Sequence, residues 1–132
     1  MYGFKCRLAS REAQITGHNV SQIKAKVIAE GANFAISQEA DEQLNSKGIF
    51  VLPDLVVGGG EIVVSYYEWV QNLQQFKWTK ENISTELVKS IANSFEAVLS
   101  KLESHSVKTV REAAYLLSLE RLVEVTMLRG YQ

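Results

Sequence analysis

The chain has 132 residues, with 14 Lys and Arg against 15 Asp and Glu, and a formal net charge of −1. This length allows one domain or a piece of one, but not two domains. The charge argues against nucleic acid or an anionic membrane as the main partner, and no apolar run reaches the roughly 18 residues of a membrane-spanning helix. With a lone cysteine, Cys6, and a charged N-terminus, we expect a cytoplasmic protein without an internal disulfide.

The first part of the chain has the pattern of a parallel α/β unit. Ser37 is suited to cap a helix, and Gly48 is suited to end it. Short apolar stretches flank this helix, and a third, alternating stretch precedes a polar connection over residues 10–23. A strand, a helix and a strand in close succession form the βαβ unit of a parallel sheet. The three predicted strands cover residues 4–9, 26–30 and 49–52.

Residues 58–74, GGGEIVVSYYEWVQNLQ, join three glycines to a helical apolar pattern. Glycine permits a close approach of other groups to the backbone, and a helix start presents unpaired N–H groups and the positive end of the helix dipole. A glycine turn between a strand and a helix is therefore a candidate site for an anionic or dipolar ligand. The alternative is a tight turn that binds nothing, since a bare GGG without a following lysine is a weak motif.

The second part of the chain predicts long helices. Apolar residues over 62–73 recur on more than one stripe, which predicts a helix that is buried between layers. Thr79 is suited to cap a helix over residues 80–103. Thr109 and Glu112 form a capping box for a last helix over residues 110–128, which Gly130 ends.

Four separated blocks occur in this order: IKAKVIAEGAN, EADEQLNSKGIFVLPD, SYYEWVQNLQQFKW and REAAYLLSLERLVEVTMLRG. The third resembles the Ser-Tyr-Phe-Glu-Trp-Val-Gln-Asn signature near the C-terminus of hexameric glutamate dehydrogenases. In order and spacing, all four resemble the C-terminal portion of the Glu/Leu/Phe/Val dehydrogenase family, over residues 14–130. Several blocks in the right order are far more specific than any single motif in this chain.

The resemblance implies the second half of a Rossmann-like parallel sheet, with about three strands, followed by long C-terminal helices. Residues 1–60 would be the partial dinucleotide-binding half, and residues 61–132 the helical segment. The resemblance also implies that the enzyme catalyses oxidative deamination of glutamate to 2-oxoglutarate, with NAD or NADP as the cofactor. The expected partners are this small-molecule substrate and either further copies of the chain or the remainder of the enzyme.

The resemblance assigns roles to three residues. Ser65 would hold the side-chain carboxylate of the substrate, because a hydroxyl can donate to a carboxylate oxygen. The alternative to this role is a Ser65 hydroxyl that donates to a backbone carbonyl of its own helix. Asn33 would lie beside the nicotinamide ribose, and its alternative is a turn former. Gly58 stands where the family has an asparagine at the nicotinamide end of the cofactor site. No catalytic residue and no metal ligand is predicted.

The departures from the family pattern gather at the nicotinamide end. Asn-Ala-Gly-Gly is replaced by GGGE at residues 58–61, and Gly-Pro-Thr-Thr-Pro by FAISQ at residues 34–38. Upstream, a strand end that is usually Pro-Ala-Ala is KCRLAS. The resemblance also places the catalytic lysines, an aspartate and a Gly-rich phosphate turn in segments that precede these residues. We therefore expect the 132 residues to be inactive alone.

Two alternatives stay open. The chain could be a non-catalytic remnant or interaction module that packs with a partner or with itself. Half of a doubly wound sheet leaves a strand edge and an apolar face uncovered, so we expect an oligomer or a poorly soluble monomer. An unrelated small nucleotide binder built on the glycine turn is disfavoured, because no phosphate-binding fingerprint is present.

Overall fold

The computed structural model describes residues 6–104 and 107–130. Within these ranges it contains three strands and five α-helices: β1 (Cys6–Ala9), β2 (Val27–Glu30), α1 (Gln38–Ser46), β3 (Phe50–Leu52), α2 (Asp54–Val57), α3 (Gly59–Gln74), α4 (Lys80–Ser104) and α5 (Val110–Leu128). A short 3-10 turn, Val20–Gln22, lies in the first connection. The predicted fold class is confirmed. The predicted strand positions 4 and 5 lie outside the described residues.

The strands form one parallel sheet in the order β1-β2-β3. Along β2, Ile28 and Glu30 are buried, whereas Val27 and Ala29 are half-buried. A continuous apolar cluster surrounds the sheet, with these buried members: Ala9, Ile15, Val20, Ile28, Ala35, Ile36, Ala40, Leu44 and Val51. Because all three strands run the same way, the loops that follow them lie at one edge of the sheet.

Helix α1 begins and ends as predicted. The Ser37 side chain accepts a hydrogen bond from the Ala40 N–H at 3.4 Å. Gly48 has a φ of +68°, a left-handed conformation that glycine adopts without strain and that commonly ends a helix. Leu44 and Ala40 are fully buried, which fixes the face that α1 turns toward the sheet.

The three glycines do not form the predicted turn between a strand and a helix. Pro53 caps α2, so the chain completes a helical turn before it reaches Gly58. Gly58 has ordinary right-handed dihedrals, φ −70° and ψ −15°, and its N–H donates to the Asp54 carbonyl oxygen at 2.7 Å. The helical turn was missed because four residues are too short for apolar periodicity to show. Ser65 does lie on α3, whose first residue is Gly59.

The predicted burial of α3 is wrong for the described residues, since none of its residues is buried. Ile62 is 72 % exposed and Trp69 is 56 % exposed. One side of the helix packs on the following segment, where the rings of Tyr67 and Trp78 lie 5.4 Å apart. The apolar pattern predicted the helix correctly, but it could not show what would cover the opposite side.

Helices α4 and α5 pack together around a second apolar cluster, whose buried members are Val98, Val110, Ala113 and Ala114. Thr79 caps α4 as predicted, because its hydroxyl accepts from the Asn82 N–H at 3.2 Å. No helix in residues 6–104 and 107–130 combines the length and the hydropathy needed to cross a membrane.

The capping box at the start of α5 is confirmed in part. The Thr109 hydroxyl accepts from the Glu112 N–H at 3.1 Å. The Glu112 carboxylate, however, accepts from the Lys108 N–H at 2.7 Å, one residue before the N–H that a capping box uses. Gly130, with a φ of +79°, follows the helix.

Candidate functional site

The carboxyl edge of the sheet is where open α/β folds bind their ligands. Here the loop after β1 and the loop after β2 are joined by backbone hydrogen bonds. The Gly31 N–H donates to the Ala9 carbonyl at 2.7 Å, and the Ile15 N–H donates to the Ala35 carbonyl at 3.0 Å. The Ser37 N–H donates to the Ile15 carbonyl at 2.9 Å. The two loops therefore form one fixed structure beside the strand ends.

Two residues of these loops have left-handed backbones although neither is glycine. Ala13 has a φ of +49° and Phe34 a φ of +51°, and the Ala13 N–H donates to the Phe34 carbonyl at 2.9 Å. Such conformations are costly for L-residues. They persist where surrounding contacts fix them, and they gather at functional sites. The strain thus marks the carboxyl edge as a candidate binding site.

Asn33 lies in this loop directly before Phe34, with an exposed side chain. Its side-chain amide makes no hydrogen bond within the described ranges, so it does not form the Asx turn that a turn-forming asparagine would make. The amide presents both donors and an acceptor at the strand ends. Such an amide can hydrogen-bond to hydroxyl groups, which themselves both donate and accept.

Ser65 is exposed on α3, and its hydroxyl has no hydrogen-bond partner in residues 6–104 and 107–130. By contrast, the Ser118 and Thr126 hydroxyls each bond to the carbonyl four residues earlier, at 2.7 Å. Ser65 therefore does not adopt the back-bonded alternative. It shares a helix face with Ile62 and Trp69 and also with the exposed carboxylates of Glu61 and Glu68, so its surroundings combine apolar and acidic side chains.

Gly58 does not supply a free backbone donor, because its N–H is bound to Asp54. It permits a close approach within the chain instead, since a Cβ at this position would lie 2.9 Å from the Asp54 carbonyl oxygen. Gly58 precedes Ser65 by two helical turns, about 10 Å along the axis. The two positions share a face of the helical segment.

Three carboxylates converge on Arg111 of α5, a cluster that the sequence analysis missed. Its Nη2 lies 2.7 Å from Glu30 Oε2, its Nε 3.0 Å from Asp41 Oδ2, and its Nη1 3.5 Å from Asp54 Oδ1. The Glu30 side chain has no exposure, and the Arg111 side chain is 21 % exposed. Glu30 and Arg111 are 81 positions apart, and no local pattern connects residues so distant. The signal that could have been used is an acidic residue at the end of an apolar strand.

Burial has the largest single effect on the pKa of Arg111, and it lowers that pKa by desolvation. Together, the hydrogen bonds and charges of Asp41, and then those of Glu30, outweigh burial and raise the pKa above its usual value. The guanidinium therefore stays charged wherever the protein is folded. The described part of the chain has no group of three or more His, Cys, Asp or Glu side chains that could hold a metal ion.

Among the clefts that the described residues form, two lie beside the long helices. One, of about 260 Å³, lies between α3 and the α4–α5 pair and includes Gly59, Ile62 and Arg121. The other is an apolar groove of about 690 Å³ along β3 and α4, lined in part by Phe50 and Leu87. Neither is lined by Asn33 or Ser65, so these clefts do not bring the assigned residues together.

The family model for glutamate, leucine, phenylalanine and valine dehydrogenases matches residues 6–130. The chain belongs to this dehydrogenase family. It is 40 % identical over 122 residues to a glutamate dehydrogenase of Thermotoga maritima, a match that covers 92 % of this chain and 29 % of that relative. The resemblance that the four sequence blocks predicted is thereby confirmed.

Solved glutamate dehydrogenases also resemble this family member in three dimensions. The hetero-hexameric enzyme from Thermus thermophilus, in a leucine-bound form, is 40 % identical with a TM-score of 0.89, over 94 % of this chain and 30 % of that one. The enzyme from Peptoniphilus asaccharolyticus is 32 % identical with a TM-score of 0.86, over 96 % and 32 %. The chain thus spans about a third or less of the length of these dehydrogenases.

Proposed function

We propose that these residues form the C-terminal, cofactor-binding part of an NAD(P)-dependent glutamate dehydrogenase. They would take part in oxidative deamination of glutamate to 2-oxoglutarate only together with the rest of the enzyme. The observation that carries this proposal is the hydrogen-bonded loop at the carboxyl edge of the sheet, which presents the unbonded amide of Asn33. Identity of 40 % to a glutamate dehydrogenase supports the choice of activity.

The residues at the carboxyl edge suit one end of a dinucleotide. The Asn33 amide can donate to one ribose hydroxyl and accept from the other. NAD or NADP, when bound, supplies the hydride acceptor or donor for the reaction. Gly58 is not proposed as a hydrogen-bond donor, because its N–H already binds Asp54. Its proposed contribution is to keep the start of the helical segment free of a side chain.

Ser65 is proposed to donate its hydroxyl proton to the side-chain carboxylate of glutamate. The hydroxyl has no partner in the described ranges, and Ile62 and Trp69 on its face are apolar, although Glu61 and Glu68 also flank it and would oppose a bound anion. Once covered, the apolar side chains lower the local dielectric and strengthen a hydrogen bond to a charged carboxylate. Ser65 would thus position the substrate and would not react with it.

Proton transfer is proposed to depend on groups outside these residues. Glu30 and Asp54 are engaged by Arg111 and by backbone N–H groups, so neither is available as a general base. The division into residues 1–60 and 61–132 also remains a proposal. It is supported by the two separate apolar clusters, one around the sheet and one between α4 and α5.

Complementation tests this function. The chain is co-purified with the segment of Thermotoga maritima glutamate dehydrogenase that precedes the matched part, and glutamate-dependent reduction of NAD and NADP is measured. We expect turnover in the complemented sample, and Ser65→Ala should raise the KM for glutamate. Ser118→Ala is the matched control, because that hydroxyl bonds only within its own helix. Turnover with an unchanged KM in Ser65→Ala would remove Ser65 from the substrate site.

A non-catalytic interaction module is the second candidate. The observation that favours it is the exposed apolar surface on α3 and on the last turns of α5, where Leu122 is 62 % exposed and Met127 is 70 % exposed. A helix that is apolar on several sides is normally enclosed by other structure. Stable association with the complementing segment without any turnover or nucleotide binding would favour this candidate.

A further inference from the structure

Arg111 connects the last helix to three other elements of the fold. Its partners are Glu30 at the end of β2, Asp41 in α1 and Asp54 at the start of α2. Nη2 donates to Glu30, Nε and Nη2 donate to Asp41, and Nη1 lies 3.5 Å from Asp54, so all three nitrogens of the planar guanidinium face carboxylates. The position of α5 is thereby tied to the carboxyl edge of the sheet.

Two of these carboxylates also hold the backbone of the loop after β2. Glu30 Oε1 accepts from the Ile36 N–H at 2.9 Å, and Asp54 Oδ2 accepts from the Phe34 N–H at 3.0 Å. The second oxygen of Glu30 accepts from the Asp54 N–H at 3.1 Å. The side chain of Asp41, the third partner of Arg111, makes no hydrogen bond to this loop in the described ranges, although its backbone N–H donates to the Ser37 carbonyl at 2.9 Å. The contacts therefore run from Arg111 through two carboxylates to Phe34 and Ile36, one and three residues after Asn33.

We propose that Arg111 is a positioning residue: through Glu30 and Asp54 it fixes the conformation of loop 31–37, so that the last helix sets the geometry of the residue that faces the cofactor. Only the last step, from the loop to the cofactor, rests on the proposed function of Asn33. The first step concerns the fold alone and can be tested without any nucleotide.

The charges make this arrangement depend on arginine. Three carboxylates meet one guanidinium, and Glu30 has no exposure to water. Without the cation, Glu30 is a buried charge that must acquire a proton or admit water. Either change weakens its bond to the Ile36 N–H. The left-handed backbone of Phe34 is then free to relax, because such strain persists only while neighbouring contacts enforce it.

Lysine cannot replace this geometry. Arg111 uses Nε, Nη1 and Nη2 toward three carboxylates, whereas an ammonium group is a single point charge. We expect Arg111→Lys to retain the fold and the contact with Glu30, but to release Asp54 and with it the Phe34 N–H.

Hydrogen exchange with peptide-level mass spectrometry tests the first step on the 132-residue chain. Exchange over residues 31–37 is compared among the parent, Arg111→Met, Arg111→Lys, Asp41→Asn and Lys101→Met. Asp41→Asn removes the charge of one partner of Arg111 whose side chain makes no hydrogen bond to the loop in the described ranges. Lys101→Met removes a surface ion pair between α4 and α5, 2.6 Å long, with no bond to the loop.

We expect Arg111→Met to speed exchange in loop 31–37 at least tenfold more than in α4, and Arg111→Lys to act in the same direction. Lys101→Met should leave the loop unchanged, and Asp41→Asn should change its exchange less than either Arg111 variant does, because the Asp41 side chain reaches the loop only through Arg111. The proposal would be overturned if loop 31–37 exchanged no faster in Arg111→Met than in the parent chain. It would also be overturned if exchange became faster by the same factor over the whole chain. If Arg111→Met does not fold, the loop exchange of Arg111→Lys decides in the same way.

The second step uses the complemented enzyme. Arg111→Lys should raise the KM for the nucleotide while leaving the KM for glutamate within twofold, because in the described ranges no side chain of the cluster hydrogen-bonds to α3, where Ser65 lies. Equal rises in both values would contradict a role at the cofactor loop. If complementation yields no turnover at all, the proposed function fails, while the exchange result still decides whether Arg111 positions the loop.

Discussion

At the scale of single residues, Arg111 is the side chain whose loss we expect to cost most. Arg111→Met leaves Glu30 buried without a cation, and breaking such a pair costs about 3–5 kcal/mol of the free energy of unfolding. Urea denaturation measures this loss. The control is Lys101→Met, whose partner Glu120 is 43 % exposed, and which should cost less than about 1 kcal/mol. If Arg111→Met and Lys101→Met lowered the free energy of unfolding equally, the Arg111 cluster would be no more stabilising than a surface ion pair.

Alkaline pH separates arginine from lysine in the same cluster. The folded pKa of Arg111 lies above its unfolded value, so its contribution to stability is fully present at neutral and moderately alkaline pH and is lost only as the pH rises through that raised folded pKa. A lysine, with an ordinary pKa of about 10.4, loses its charge sooner. Between about pH 9 and about pH 11, Arg111→Lys should therefore lose more stability than the parent chain in parallel urea titrations. Identical pH profiles would contradict this expectation.

Phe34 has a φ of +51°, a left-handed conformation that is strained for phenylalanine and that glycine adopts readily. This explains why the family pattern has a glycine at this position. Phe34→Gly removes a left-handed penalty of roughly 1–2 kcal/mol and adds a glycine entropy cost of roughly 0.5–1 kcal/mol. Because the side chain is 67 % exposed, little burial is lost. Thermal unfolding should show that the free energy of unfolding rises by up to about 1.5 kcal/mol. Asn33→Gly, where φ is not positive, is the matched control and should lower stability.

At the scale of elements, the glycines before Ser65 differ in what they permit. A Cβ on Gly60 would lie 4.0 Å from Ile91 Cδ1, an ordinary contact, whereas one on Gly58 would lie 2.9 Å from the Asp54 carbonyl oxygen. Gly60→Ala should therefore raise the free energy of unfolding by about 0.5–1 kcal/mol, and Gly58→Ala should lower it. Chemical denaturation of both variants measures this difference. A gain in both would show that the backbone at Gly58 is not constrained.

The elements that sequence predicted best are those specified by neighbouring residues. The caps of α1 and α4 and the glycine after α1 depend on contacts within a few positions, so they can be predicted from the residue types alone. Helix α2 was missed because one turn carries no periodicity. The Arg111 cluster was missed because charge pairing across 81 positions exists only after the fold has formed. Asn33, Ser65 and Gly58 came from family resemblance, and their roles stay predictions.

At the scale of the whole molecule, the described residues leave much apolar surface uncovered. Ile62, Trp69 and Leu73 on α3 and Leu128 at the end of α5 are each more than half exposed. Surfaces of this kind normally meet another protein surface. The expected association of the isolated chain therefore stays a prediction, with the rest of a dehydrogenase as the partner that we propose.

The most direct test is glutamate-dependent reduction of NAD and NADP by the purified 132-residue chain, with and without the preceding segment of the Thermotoga maritima enzyme. We predict no turnover by the chain alone, because its buried carboxylates are engaged and the family's catalytic lysines are not among its residues, and turnover when the segment is added. Turnover by the unaided chain would contradict the account.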